Sequence, residues 1–212
     1  MTPARFISFD GIDGVGKSTQ IERLAASLRE RGADVLIVRD PGTTPIGTQL
    51  RAILLDGELI MHRRTEAMLF MASRSELVET VLRPALAAGK TVISDRFLLA
   101  NVVYQSTPDT GAESQVTPQM LWQIGHLACG GLHPDLTLLL DLPVDQAYQR
   151  LGDKVDRMEA RGRDYLARVR TTFLEQLPHT GGRGEVVSAE GSPDEVAARI
   201  AKVILGNGFD GD

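Results

Sequence analysis

The segment "GIDGVGKS" at 11–18 fits the pattern G-x-x-x-x-G-K-[ST], and its flanks narrow the possible folds more than any other feature of the chain. Before it runs "RFISF" (5–9), short, apolar and β-prone. After it, "STQIERLAASLRERG" (18–32) sets Ile21, Leu24, Ala25 and Leu28 at helical spacing before a glycine stop. Strand, loop and helix in that order predict a phosphate cradle. Gly11, Gly14 and Gly16 allow backbone N–H groups to turn inward onto phosphate oxygens, with the positive end of the following helix aimed at them. The expected ATP phosphate-binding set is Gly11, Gly14, Val15, Gly16, Lys17, Ser18 and Thr19. Within it Lys17 reaches the β- and γ-phosphates and the Ser18 hydroxyl ligates Mg²⁺. A glycine-rich turn that binds nothing would match the pattern but not its context.

Asp13 stands inside this anion-binding loop, where a carboxylate repels the nucleotide unless something neutralises it. A magnesium water shell or a sugar hydroxyl of a second substrate would serve, and either requires a site across the loop from ATP. A side chain pointing to solvent is the alternative.

Downstream, strands are expected at 34–40, 90–96, 134–143 and 184–191, and helices at 44–57, 65–88, 117–131, 144–151, up to about 177, and 192–206. Pro84 falls late in the 65–88 helix and is expected to kink or divide it. Runs such as "LTLLLD" have no polar side to show water, so the strands form a parallel sheet covered by helices on both faces. The fold class is α/β, five-stranded and parallel. Charged residues at the strands' C-terminal ends place one site along that edge. A length of 212 residues suits one domain, and no window approaches the roughly 20 apolar residues that span a membrane. The N-terminus lacks a secretory pattern, so a cytoplasmic protein is expected. The net charge of −5 argues against a nucleic-acid partner. Basic residues concentrate locally instead, at "MHRR" with Arg74 and between Arg150 and Arg170. The single cysteine, Cys129, reads as a buried thiol.

Six stretches, taken together, resemble the bacterial type of thymidylate kinase: "FDGIDGVGKST" (9–19), "RDPGTTPIG" (39–47), "EAMLFMASR" (66–74), "SDRFLLANVVYQ" (94–105), "PDLTLLLD" (134–141) and "DRMEARGRDYLARVR" (156–170). The resemblance implies a P-loop nucleoside monophosphate kinase fold. It also implies transfer of the ATP γ-phosphoryl group to the 5′-phosphate of dTMP with Mg²⁺, giving dTDP and ADP for dTTP synthesis. Carried over residue by residue, Asp13 resembles the acid facing the acceptor's 3′-hydroxyl and the metal region. Arg39 and Arg96 resemble the arginines on the acceptor phosphate, with Arg96 also on the transferring group. Asp95 would hold Mg²⁺ through water or orient Arg96. Phe70 is similar to the ring stacked on thymine and Arg74 to the donor to its O4; Asn101, Tyr104 and Gln105 complete the dTMP set, with Tyr104 crowding the sugar 2′ position. Lys17, Arg96 and Asp13 are the expected catalytic residues, joined by Arg150 and Arg157 from a lid segment at about 150–163, with Lys154 in reserve.

Glu66, Phe70 and Arg74 recur every fourth residue and so share a helical face, which also permits a plainer reading of Phe70 as core and Arg74 as a surface ion pair. One domain over 1–206 with a tail at 207–212 is expected, and the family implies a homodimer through the helices beginning near Thr65 and Thr117. Departures from the family pattern are Asp10 and Asp40 where Glu is usual, Thr43, Phe97 in place of tyrosine, "LLA" at 98–100 and a short lid. A kinase for another deoxynucleotide or deoxynucleoside, and a catalytically weak nucleotide-binding paralogue, are the alternatives.

Overall fold

The computed structural model describes residues 5–109, 116–151 and 162–206. Strands β1 (Arg5–Asp10), β2 (Val35–Arg39), β3 (Thr91–Asp95), β4 (Leu136–Asp141) and β5 (Arg183–Ser188) form one sheet in the order β2-β3-β1-β4-β5, and every pairing is parallel. The chain runs outward from β1 to β2, returns to β3, then crosses to the other side of β1 for β4. The order therefore reverses at β1, the point where an open α/β sheet leaves a crevice at its C-terminal edge.

Burial on both faces explains the unbroken apolar strands: all but the first residue of β1 and all but the last of β4 are buried. Side chains alternate, so Ile7 and Phe9 enter one core and Phe6 the other. The first core is covered by helices α1 (Lys17–Glu30), α8 (Arg163–Gln176) and α9 (Pro193–Gly206). The second is covered by α3 (Arg63–Leu77), α4 (Arg83–Ala87) and α6 (Pro118–Ala128). Helices α2 (Pro45–Leu55) and α7 (Val144–Leu151) complete the flanks, and Thr44 caps α2 by accepting from the Gly47 N–H at 2.9 Å.

Two features depart from the sequence pattern. The expected 65–88 helix is α3, a wide π-turn at Val78–Leu82, and α4. Pro84, which has no N–H to donate, stands in the first turn of α4, and just before it the Arg83 N–H reaches back five residues to the Val78 carbonyl. A further helix, α5 (Leu98–Ser106), occupies a stretch with no helical periodicity, because all nine of its residues are buried. A helix apolar or enclosed on every side has no polar stripe to betray it. Phe97 and Leu98 at its start enter the second core while Leu99, Val103 and Tyr104 enter the first, so α5 bridges the two.

That enclosure sets an expected cost. Leu99→Ala, at 2% exposure, should lower stability by about 2–5 kcal/mol. Urea unfolding should show a lower midpoint with an unchanged slope; a midpoint equal to wild type would mean α5 is not core.

Candidate active site

The phosphate loop hangs from the C-terminal end of β1. Gly11 has φ 136°, and a Cβ there would stand 2.5 Å from the Leu140 carbonyl oxygen of β4, so only glycine fits. Gly14 and Gly16 also take positive φ, 82° and 93°. Helix α1 opens at Lys17 with no acid in its first turn and no side-chain cap, leaving its N–H groups and dipole to an anion. Ser18 and Thr19 are exposed at that end, whereas Val15 is buried in the first core, so only its backbone is offered to a ligand. Lys17 curls back along the loop: its Nζ donates to the carbonyls of Gly11 (3.0 Å) and Ile12 (2.9 Å) and approaches Asp13 Oδ1 at 3.5 Å. Burial lowers the Lys17 pKa, with Arg96 adding to the effect and Asp13 opposing it.

Arg96, one residue past β3, faces this loop. Its backbone is left-handed at φ 68°, a conformation held by its N–H donating to the Phe9 carbonyl at 2.9 Å and by its carbonyl accepting from the Ser94 hydroxyl at 2.5 Å. Its guanidinium donates to Gly11 O (3.0 Å), Asp13 Oδ1 (2.6 Å) and the Tyr104 hydroxyl (3.3 Å), and lies 5.0 Å from the Tyr104 ring centroid. Tyr104 in turn donates to Asp13 Oδ2 at 3.4 Å. Burial alone would raise the Asp13 carboxyl, but the charges of Arg96 and Lys17 overcome it and hold the group well below the usual carboxylate range. The loop acid is thus neutralised by the protein's own cations, a partner the sequence does not reveal.

Two further acids lie behind the loop. Asp10 is fully buried with both carboxylate oxygens unpartnered among the described residues, and burial raises its pKa to about 6 against the opposing charges of Arg96 and Lys17. Asp95 has one buried oxygen without a partner and the other 3.5 Å from Arg39 Nε, while Arg39 itself is exposed. No cluster of three or more metal-ligating side chains occurs among the described residues.

A cleft of about 590 Å³ joins these groups to a wall made by α3 and α5. Every residue of the expected dTMP set lines it: Asp13, Arg39, Phe70, Arg74, Arg96, Asn101, Tyr104 and Gln105. Phe70 is half-buried, which suits a ring offered to a ligand. Arg74 is only 1% exposed and is no surface ion pair: its Nε donates to Asp40 Oδ2 at 2.6 Å and its Nη1 to Asn101 Oδ1 at 3.0 Å. Burial raises the Asp40 carboxyl above its ordinary value, with Arg74 opposing. Glu66, on the same helical face, is buried but does not reach the cleft.

Arg51 of α2 and Asp40 also line the cleft, and the sequence pattern singled out neither as a site residue. Arg51 sits on an otherwise ordinary amphipathic helix, whereas Asp40 carried a usable signal, directly after Arg39 at a strand's C-terminal end. Arg150 reaches the opposite rim, where its guanidinium donates to the carbonyls of Ala189 (3.2 Å) and Gly191 (3.4 Å). Arg157 and Lys154 lie outside the described residues.

The sequence profile described as thymidylate kinase matches residues 9–200. The chain belongs to the thymidylate kinase family. It is 63% identical over 203 residues to the thymidylate kinase of Rhodopirellula baltica, covering 96% of this chain and 81% of that one. It is 44% identical over 198 residues to the thymidylate kinase of Desulforudis audaxviator, covering 92% and 87%. For the thymidylate kinase of Thermosipho africanus the figures are 37% over 200 residues, covering 94% and 96%. The five-stranded parallel sheet with its phosphate loop is the P-loop kinase fold of that family.

The buried Asp10 carries a pH signature. Its pKa rises from 3.8 to about 6 on folding, so between those values the folded chain holds a proton that the unfolded chain releases. The cost of this carboxyl therefore grows as pH rises through that window and is complete above it. Asp10→Asn should be more stable than wild type by about 3 kcal/mol near pH 8, a gain that falls toward zero near pH 4. Urea midpoints of both proteins across that range check it; a gain independent of pH would contradict it.

Proposed function

We propose that this thymidylate kinase family member transfers the γ-phosphoryl group of ATP to the 5′-phosphate of dTMP, giving dTDP and ADP, as a step of dTTP synthesis. The observation that carries this is the cleft of about 590 Å³ in which the phosphate loop and the α3–α5 wall meet at Arg96, Asp13 and Tyr104.

Phosphoryl transfer asks a protein mainly for positioning and for cations where negative charge spreads. The loop N–H groups and the start of α1 bind the ATP phosphates. Lys17 exchanges the carbonyls of Gly11 and Ile12 for β- and γ-phosphate oxygens. Arg39, exposed at the end of β2, and Arg96 hold the dTMP phosphate so that one of its oxygens faces the γ-phosphorus in line with the departing ADP oxygen. Arg96 also meets the charge that develops on the transferring group. Asp13 and Tyr104 border the sugar, Tyr104 leaving little room at the 2′ position. Phe70 stacks on the base, and Arg74 with Asn101 and Gln105 reads its edge.

Mg²⁺ fits this site because the orphaned buried oxygen of Asp95 and the exposed Ser18 hydroxyl are hard oxygen donors lining the same cleft; Ser18 would hold the ion directly and Asp95 through water. When bound, the ion neutralises charge on the β- and γ-phosphates. One domain over 1–206, a lid at about 150–163 and a tail at 207–212 belong to the same reading. The loop has no arginine between Gly11 and Lys17, so Arg150 or Arg157 of the lid supplies the remaining cation.

A cytoplasmic homodimer completes the proposal. No helix among the described residues is long and apolar enough to cross a membrane. Helix α3 packs against both α2 and α6, and these helices expose Ile46, Ile53 and Leu55, Met68, and Met120 and Leu127. Apolar exposure of that kind suits a second copy of the chain.

Coupled ADP release with ATP, Mg²⁺ and each of dTMP, dUMP, UMP, dCMP, dGMP and thymidine tests the activity. Turnover should be confined mainly to dTMP, and Lys17→Ala should lower kcat by about a hundredfold or more. Preferred turnover of another acceptor would move the base assignment, and absence of turnover on all six would leave a nucleotide-binding protein.

A further inference from the structure

Asp40 is 2% exposed, and one of its oxygens, Oδ1, has no hydrogen-bond partner among the described residues. Its backbone is fixed by its own N–H donating to the Asp95 carbonyl at 3.2 Å, at the C-terminal edge of the sheet. The other oxygen accepts from Arg74 Nε at 2.6 Å, and this bond is the start of a chain across the pocket wall. Arg74 Nη1 donates to Asn101 Oδ1 at 3.0 Å, and Asn101 Nδ2 donates to Gln105 Oε1 at 2.6 Å. Gln105 Nε2 is left buried and unpartnered among the described residues, on a side chain that lines the cleft.

The direction of these bonds is forced. A guanidinium has no acceptor, so Asn101 must turn its carbonyl toward Arg74 and its amide nitrogen away; Gln105 must then offer its carbonyl to that nitrogen. What remains for a ligand is donors alone: the Gln105 Nε2 N–H groups at the end of the chain, with the second N–H of Arg74 Nη2 and of Asn101 Nδ2 beside them. The start of the chain matters as much as its polarity, because a buried guanidinium without its counter-ion would leave the pocket or turn.

We infer that Asp40 is the positioning residue of the base-reading wall. Through Arg74 and Asn101 it fixes Gln105 as a hydrogen-bond donor, which selects a pyrimidine bearing a carbonyl over one bearing an amino group at the facing edge. This deepens the dTMP reading and rests on it. A base carbonyl accepts from Gln105, whereas an exocyclic amino group would set donor against donor and leave both buried and unpaired. Asp40 touches no substrate in this scheme, so its removal should spare the chemical step.

Steady-state kinetics of wild type and Asp40→Asn with dTMP and dCMP tests the assignment. Asp40→Asn should raise KM for dTMP about tenfold or more while KM for ATP and kcat at saturating dTMP stay within about threefold. Its preference for dTMP over dCMP in kcat/KM should fall about tenfold. A buried pair that serves only stability would lower active enzyme without splitting KM from kcat or changing the dTMP to dCMP ratio, and that result would overturn the inference. Should Asp40→Asn fail to fold, Gln105→Met decides: the same rise in KM for dTMP supports the relay, and an unchanged KM overturns it. Absence of dTMP turnover by wild type would overturn the dTMP reading itself, and the relay with it.

Discussion

The ion pair between Arg96 and Asp13 is the contact on which the two halves of the site depend. One partner comes from the loop after β1 and the other from the residue after β3, and they meet because β1 and β3 are neighbours, with Phe9 opposite Asp95 in the register. A carboxylate in a phosphate loop would repel the nucleotide if left bare. Held against Arg96 at 2.6 Å and near Lys17 at 3.5 Å, it offsets cations that would otherwise crowd one another in a desolvated space. Tyr104 joins the same cluster from α5, so loop, strand end and helix share one electrostatic network.

The acceptor wall solves a related problem by different means. Arg74 lies almost fully out of water, and burying a guanidinium costs several kcal/mol unless its charge and N–H groups are matched. Asp40 supplies the charge and accepts from Nε; Asn101 Oδ1, Met71 Sδ and the Phe97 carbonyl, at 3.0, 3.3 and 3.4 Å, accept from three of the other four N–H groups, and the Phe97 ring lies 5.5 Å away. That matching is possible only because α5 runs buried between the two cores, carrying Asn101, Tyr104 and Gln105 on polar side chains inside an apolar helix.

Much of this was legible in the chain itself. The β1–loop–α1 unit announced itself through glycine spacing next to a strand and a periodic helix, and β4 through an apolar run too continuous to face water. The residues bordering the cleft were found through motif order, which local physics alone did not dictate: Phe70 and Arg74 share a helical face under either a core or a ligand reading. Helix α5 escaped because full burial erases periodicity, and the π-turn escaped because Pro84 signals a disturbance without its form. Charge pairing escaped more generally. Nothing local says that Asp13 will meet Arg96 or that Asp40 will meet Arg74, since the first contact is made by the sheet order and the second joins the end of β2 to helix α3. Arg150, expected from the sequence as a catalytic cation, lines the cleft with its guanidinium donating to the carbonyls of Ala189 and Gly191.

The most direct test of the account is a double-mutant cycle on Asp13→Asn and Arg96→Gln, read as kcat/KM for dTMP. If the pair couples the phosphate loop to the acceptor pocket, the double variant should lose far less than the product of the single losses. The expected interaction is about 1.4 kcal/mol or more, a tenfold departure from additivity. Losses that simply multiply, to within a factor of two or so, would mean that the two residues act independently and that the shared network does not join the two sites.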